Sequence, residues 1–131
     1  MDTRDTLYDN QNGAVNYFDQ SIMDYKQGSA RLRERLPEMT QGYFDFTDAC
    51  FKPGAIKEKE KQLMALAISI YAQDEYCIIY HTKGAVEHGA TEQEIMETLA
   101  ISAALGGGAA FSQGATLAMD TFDHYQNQNT H

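Results

Sequence analysis

From Lys57 to Ala72 the apolar residues Leu63, Leu66, Ala67 and Ile70 recur at steps of three and four. That spacing puts them on one side of an α-helix and would scatter them over both faces of a strand. No segment of the chain shows a convincing two-residue alternation, so the expected fold is all-α, a bundle of about six helices. Val15, Phe18, Ile22 and Tyr25 predict an earlier amphipathic helix over 13–27. A break is expected at Gly28-Ser29, followed by a short helix that stops at or before Pro37, because a residue preceding proline disfavours the helical region.

After Pro37, Met39, Tyr43, Phe46 and Phe51 form a further stripe, closed by Pro53-Gly54. The cluster Tyr43, Phe44, Phe46 and Phe51 reads as core or subunit contact. Met64 to Ala72 is nearly all apolar or small, which predicts a helix buried on several sides. Asp74 reads as the N-cap of the next helix, accepting from the Cys77 N–H, with Gly89 as its left-handed C′ residue. Thr91 with Glu94 spells a capping box for a helix that sends Ile95, Leu99, Ser102 and Ala103 inward. Gly106-Gly107-Gly108 connects to a last helix over 109–125 and is no phosphate loop, since no Lys-Ser/Thr pair follows. The expected organisation is a flexible arm at 1–12, one domain at 13–125 and a frayed tail at 126–131.

Nineteen acidic against ten basic residues leave a net charge of -9. Nucleic acid is a poor partner for such a chain, because phosphate contacts need clustered Lys and Arg. The first residues lack a basic stretch followed by an apolar one, and no window approaches ~18 uninterrupted apolar residues, so neither a secretory signal nor a membrane span is read. Two cysteines, Cys50 and Cys77, make no disulfide framework and point to a reducing cytoplasm.

The chemistry concentrates in Asp74-Glu75-Tyr76-Cys77-Ile78-Ile79-Tyr80-His81. On a helix beginning here, Cys77 and His81 are i, i+4 neighbours, and Asp74 falls on the same face. A thiol in the first helical turn feels the positive end of the dipole, and a nearby imidazole can take its proton. Four readings of this face compete. Cys77 is a nucleophile or redox thiol with His81 as its proton partner; or Asp74 or Glu75 with His81 performs acid/base chemistry on a small carbonyl or lactone substrate. In the third, Asp74, Cys77, His81 and His88 hold a metal, although ligands along one helix seldom close a site alone. In the last, Asp74 is only a cap, Cys77 a small buried hydrophobe and His81 a core histidine. Cys50 reads as a buried structural residue. Tyr76 and Tyr80 flank the face, while His88, His124 and His131 read as surface residues.

Four ordered stretches carry a family resemblance: Phe51 to Ile56, Glu60 to Ala67, Cys77 to Ala85, and Gly89 to Ile95. Together they resemble the carboxymuconolactone decarboxylase family, and within it the alkylhydroperoxidase-D-like thiol proteins, over about residues 37–125. The resemblance implies a helical subunit that assembles as a trimer or hexamer. It also implies thiol-dependent peroxidase or disulfide-redox activity of a peroxiredoxin-type antioxidant protein, with a small-molecule substrate, a thiol reductant as partner, and neither cofactor nor metal.

The thiol proteins of that family typically carry Cys-x-x-Cys-x-x-x-His. Here the second cysteine is Cys77 and the histidine His81, but Asp74 occupies the first cysteine position. They also tend to carry a proton-relaying Glu twelve residues before that first position, where this chain has Gln62. An aspartate cannot resolve a sulfenic acid as a disulfide, and an amide cannot relay a proton near neutral pH. The expected catalytic set is therefore Cys77 and His81, with Asp74 and Gln62 as altered neighbours. A decarboxylase- or isomerase-type acid/base enzyme, or a helical assembly protein without catalysis, stands as the alternative.

Overall fold

The computed structural model describes residues 16–129, and among them every regular element is helical. Asn16 caps α1 (Tyr17–Arg35), its Oδ1 accepting from the Asp19 N–H at 3.0 Å. The break expected at Gly28-Ser29 is absent, and α1 runs through it for 19 residues. Nothing lies within 4 Å of a side chain built at Gly28, so this glycine costs the helix about 1 kcal/mol against alanine without ending it. Leu36 does leave the helical region before proline, and Pro37 opens α2 (Pro37–Phe51), where its missing N–H is no loss.

The chain divides into two compact units, Met1–Asp45 and Phe46–His131, and α2 begins in the first and ends in the second. In the first unit Arg33 lies 5.6 Å above the Phe44 ring. Tyr43 and Phe46 are 57% and 66% exposed, so the aromatic stripe of α2 is not core; Thr40 is the residue this helix buries.

The second unit holds α3 (Glu58–Ala72), α4 (Glu75–Glu87), α5 (Glu92–Gly106), α6 (Gly108–Gln113), a π-helical turn (Gly114–Ala118) and α7 (Met119–Asn129). The last three run on as one rod, so the described chain makes six rods. Residues 126–129 continue α7 beyond the helix end expected at Tyr125, while the expected arm at 1–12 and residues 130–131 lie outside the described residues. Thr91 and Glu94 form the predicted capping box, and Gly89 takes the predicted left-handed conformation at φ 86°.

Packing of α3 on α4 and α5, and of α4 on α7, buries Leu66, Ile70, Ile78, Ile79, Ile95 and Leu117 almost completely. Each contributes about 1.5–3 kcal/mol. The expectation that α3 is buried on several sides fails: Met64, Ile68 and Tyr71 point outward. The described residues cover only one face of this helix. No helix among the described residues is long and apolar enough to cross a membrane.

Candidate functional site

Gln73 adopts the left-handed region at φ 58° and turns the chain from α3 into α4, while the Asp74 N–H donates to the Ser69 carbonyl at 3.1 Å. The two helices return antiparallel about this turn. Residues equally far from Gln73 along the chain therefore face each other: Ser69 meets Cys77, Gln62 meets Gly84, and Glu58 meets His88. This seam of polar and small residues runs through an otherwise apolar contact, and it carries all four predicted site residues.

Gln62 is buried, and its Oε1 lies 2.9 Å from His81 Nδ1. An amide oxygen only accepts, so the imidazole proton sits on Nδ1 and Nε2 keeps its lone pair. Nε2 has no hydrogen-bond partner among the described residues. The Phe51 ring stacks on the imidazole at 5.4 Å and 12°, and Tyr80 meets it edge-on at 5.4 Å. Burial pushes His81 below its ordinary pKa of 6.5, which keeps it neutral at physiological pH. Phe51 is held by Lys61, whose Nζ donates to the Cys50 and Lys52 carbonyls at 2.9 and 2.6 Å and so closes the C-terminal end of α2.

Asp74 is the expected N-cap, with Oδ1 accepting from the Cys77 N–H at a long 3.4 Å. Its other oxygen, Oδ2, lies 3.5 Å from Cys77 Sγ and accepts from the thiol. Burial first, and then the Asp74 charge and hydrogen bond, push the Cys77 thiol up from 9.0 to about 11. Ser69 is the one neighbour that favours the thiolate, yet its hydroxyl already donates to the Ala65 carbonyl at 2.7 Å. The half-buried thiol is thus held protonated.

Cys50 is exposed, contrary to its reading as a buried structural residue: it occupies the outer side of the last turn of α2. Both cysteines are free. His88 is engaged elsewhere, with Nδ1 donating to the Gly84 carbonyl at 2.7 Å and Nε2 at 3.2 Å from Glu58. Among the described residues no three potential ligands converge on a point where a metal could sit.

Asp74 joins Cys77 and Gln62 joins His81, and the two pairs stand one turn apart on α4. Sequence reasoning missed Phe51 as the cover of His81, Lys61 as its support, and Ser69 and Gly84 as members of the seam. The equal-distance rule about the turn at Gln73 was the available signal for Ser69 and Gly84.

Residues 37–120 match the model of the carboxymuconolactone decarboxylase family. An uncharacterized protein of the cox locus of Paracoccus denitrificans is 37% identical over 75 residues, covering 56% of this chain and 68% of its own. Among solved structures, an apo carboxymuconolactone decarboxylase family protein of Legionella pneumophila superposes with a TM-score of 0.79 at 30% identity, covering 83% of this chain and 96% of that one. A protein of the same family from Thermotoga maritima, for which involvement in an antioxidative response has been suggested, gives a TM-score of 0.74 at 25% identity over 83% and 92%.

Proposed function

The chain belongs to the carboxymuconolactone decarboxylase family, and on that premise we propose that its site transfers protons on a small carboxylic acid or lactone rather than turning over peroxide through two cysteines. The Gln62–His81 hydrogen bond carries this reading. It fixes the tautomer in which Nε2 is a free base, and desolvation keeps that base uncharged. Nε2 takes a proton from carbon next to a carbonyl and returns it, while Gln62 and Phe51 hold the ring in place. Asp74, exposed two turns before His81 on the same face, serves as the second acid/base group. Cys77 stays a thiol.

A one-cysteine redox reading has its own support in the suggested antioxidative role of the Thermotoga maritima relative and in the position of Cys77 in the first turn of a helix. Against it stands the thiol pKa near 11, which leaves a thiolate fraction of about one in ten thousand at neutral pH. The free cysteines suit a reducing compartment such as the cytoplasm. Assembly is proposed as a homo-oligomer through the outward apolar faces of α3 and α5.

Proton–deuterium exchange into small keto acids and lactones, followed by NMR, tests the main reading. Exchange catalysed by the wild type is expected to vanish in His81→Gln and to survive in Cys77→Ser. No exchange with any of these compounds, or the opposite mutant pattern accompanied by a peroxide-dependent sulfenic acid on Cys77, would overturn it in favour of thiol chemistry.

A further inference from the structure

We infer that Gly84 is a positioning residue of this site: the space left by its missing side chain is where the Gln62 amide lies in order to reach His81. A Cβ built on Gly84 would stand 2.5 Å from Gln62 Oε1, 2.7 Å from Cδ and 3.1 Å from Nε2. Real Cβ atoms do not approach other atoms so closely. Gly84 is buried in the last turn of α4 and is not among the residues with positive φ, so conformational freedom is not what glycine supplies here. A glycine inside a helix is otherwise a liability against alanine. What glycine supplies is room.

The surroundings determine what would move if that room were filled. The backbone of α4 is held at this point, because the Gly84 carbonyl accepts both from the His88 N–H at 3.1 Å and from His88 Nδ1 at 2.7 Å. Gln62, by contrast, meets Gly84 with the far end of a flexible side chain. A methyl group at 84 therefore displaces the amide rather than the helix. Once displaced, the amide no longer accepts from Nδ1, and the imidazole redistributes its proton between its two nitrogens.

The inference rests on the assignment of His81 as the base, but its readout is the imidazole itself. Selective ¹⁵N-histidine labelling of the full chain, with His81 assigned from His81→Gln, reports which ring nitrogen carries the proton. In the wild type Nδ1 should be the protonated nitrogen. Gly84→Ala should shift the pattern as far as Gln62→Ala does. In the Gln62→Ala background, Gly84→Ala should shift nothing further and should raise the melting temperature, because only helix propensity then remains.

A wild-type pattern in Gly84→Ala, or a shift that adds to that of Gln62→Ala, would overturn the inference. Should Gly84→Ala alone fail to fold, the double variant decides: folded with the pattern of Gln62→Ala it supports the inference, and unfolded or shifted it refutes it. Turnover lost with the tautomer unchanged would refute positioning by Gly84 and leave His81 as base. A tautomer shift without turnover in any protein would do the reverse.

Discussion

The aspartate at position 74 changes the chemistry of its neighbour more than any other single side chain. Its carboxylate accepts from the Cys77 thiol at 3.5 Å and, after burial, is the main cause of the raised thiol pKa. Asp74→Asn keeps a capping oxygen and removes the charge. Native-state alkylation of Cys77 at pH 8 is therefore expected to accelerate, by on the order of tenfold for each unit that the pKa falls. It should still fall short of a free thiol, because burial remains. An unchanged rate would mean that burial alone holds the proton. The cap itself was legible in the sequence, since capping couples a side chain to a backbone N–H three residues on. The contacts of Gln62 with His81 and Gly84 and of Phe51 with His81 join residues 19 or more positions apart, and they depend on how two helices lie against each other. Residue types alone do not determine that.

Helix existence and most helix ends followed from periodicity, Pro37 and the caps, all of them local signals. Where α1 and α3 departed from expectation, the reasons are physical. Gly28 was too weak a breaker to interrupt α1, because one glycine's penalty is small against the bonds on either side. The all-round apolar character of α3 is not matched by burial among the described residues: Ile68 and Tyr71 on α3, with Ile101 and Leu105 on α5, remain 56–78% exposed. In the proposed assembly this face is the association surface, and a stable one needs roughly 800 Å² from each partner. Light scattering should give the mass of a trimer or hexamer for the wild type and approach the 14.7 kDa of one chain for Ile68→Glu with Leu105→Glu. A wild type that runs as a single chain would remove the proposed assembly.

For the molecule as a whole, the two perturbed groups on α4 bracket a stability plateau in pH. His81 has its pKa lowered by burial in the folded chain, so below about 6.5 the unfolded chain binds a proton that the folded one resists. Stability is then lost as pH falls from 6.5 towards the folded value. Cys77 works in the opposite sense. Its pKa rises from 9.0 to about 11 on folding, so between these values the unfolded chain has lost a proton that the folded one keeps, and stability falls as pH rises. Glu94, held below its ordinary 4.5 by the Thr91 N–H and by Lys59, withdraws its share only at lower pH and does not blur the histidine limb. Urea midpoints measured across pH should thus be flat between about 6.5 and 9 and decline on both sides. His81→Gln should flatten the decline just below 6.5, and Cys77→Ser the one above 9. An alkaline decline that still begins near 9 in Cys77→Ser, below the 10.5 above which Lys59 with its raised pKa withdraws its own share, would show that the thiol is not what Asp74 and burial hold protonated.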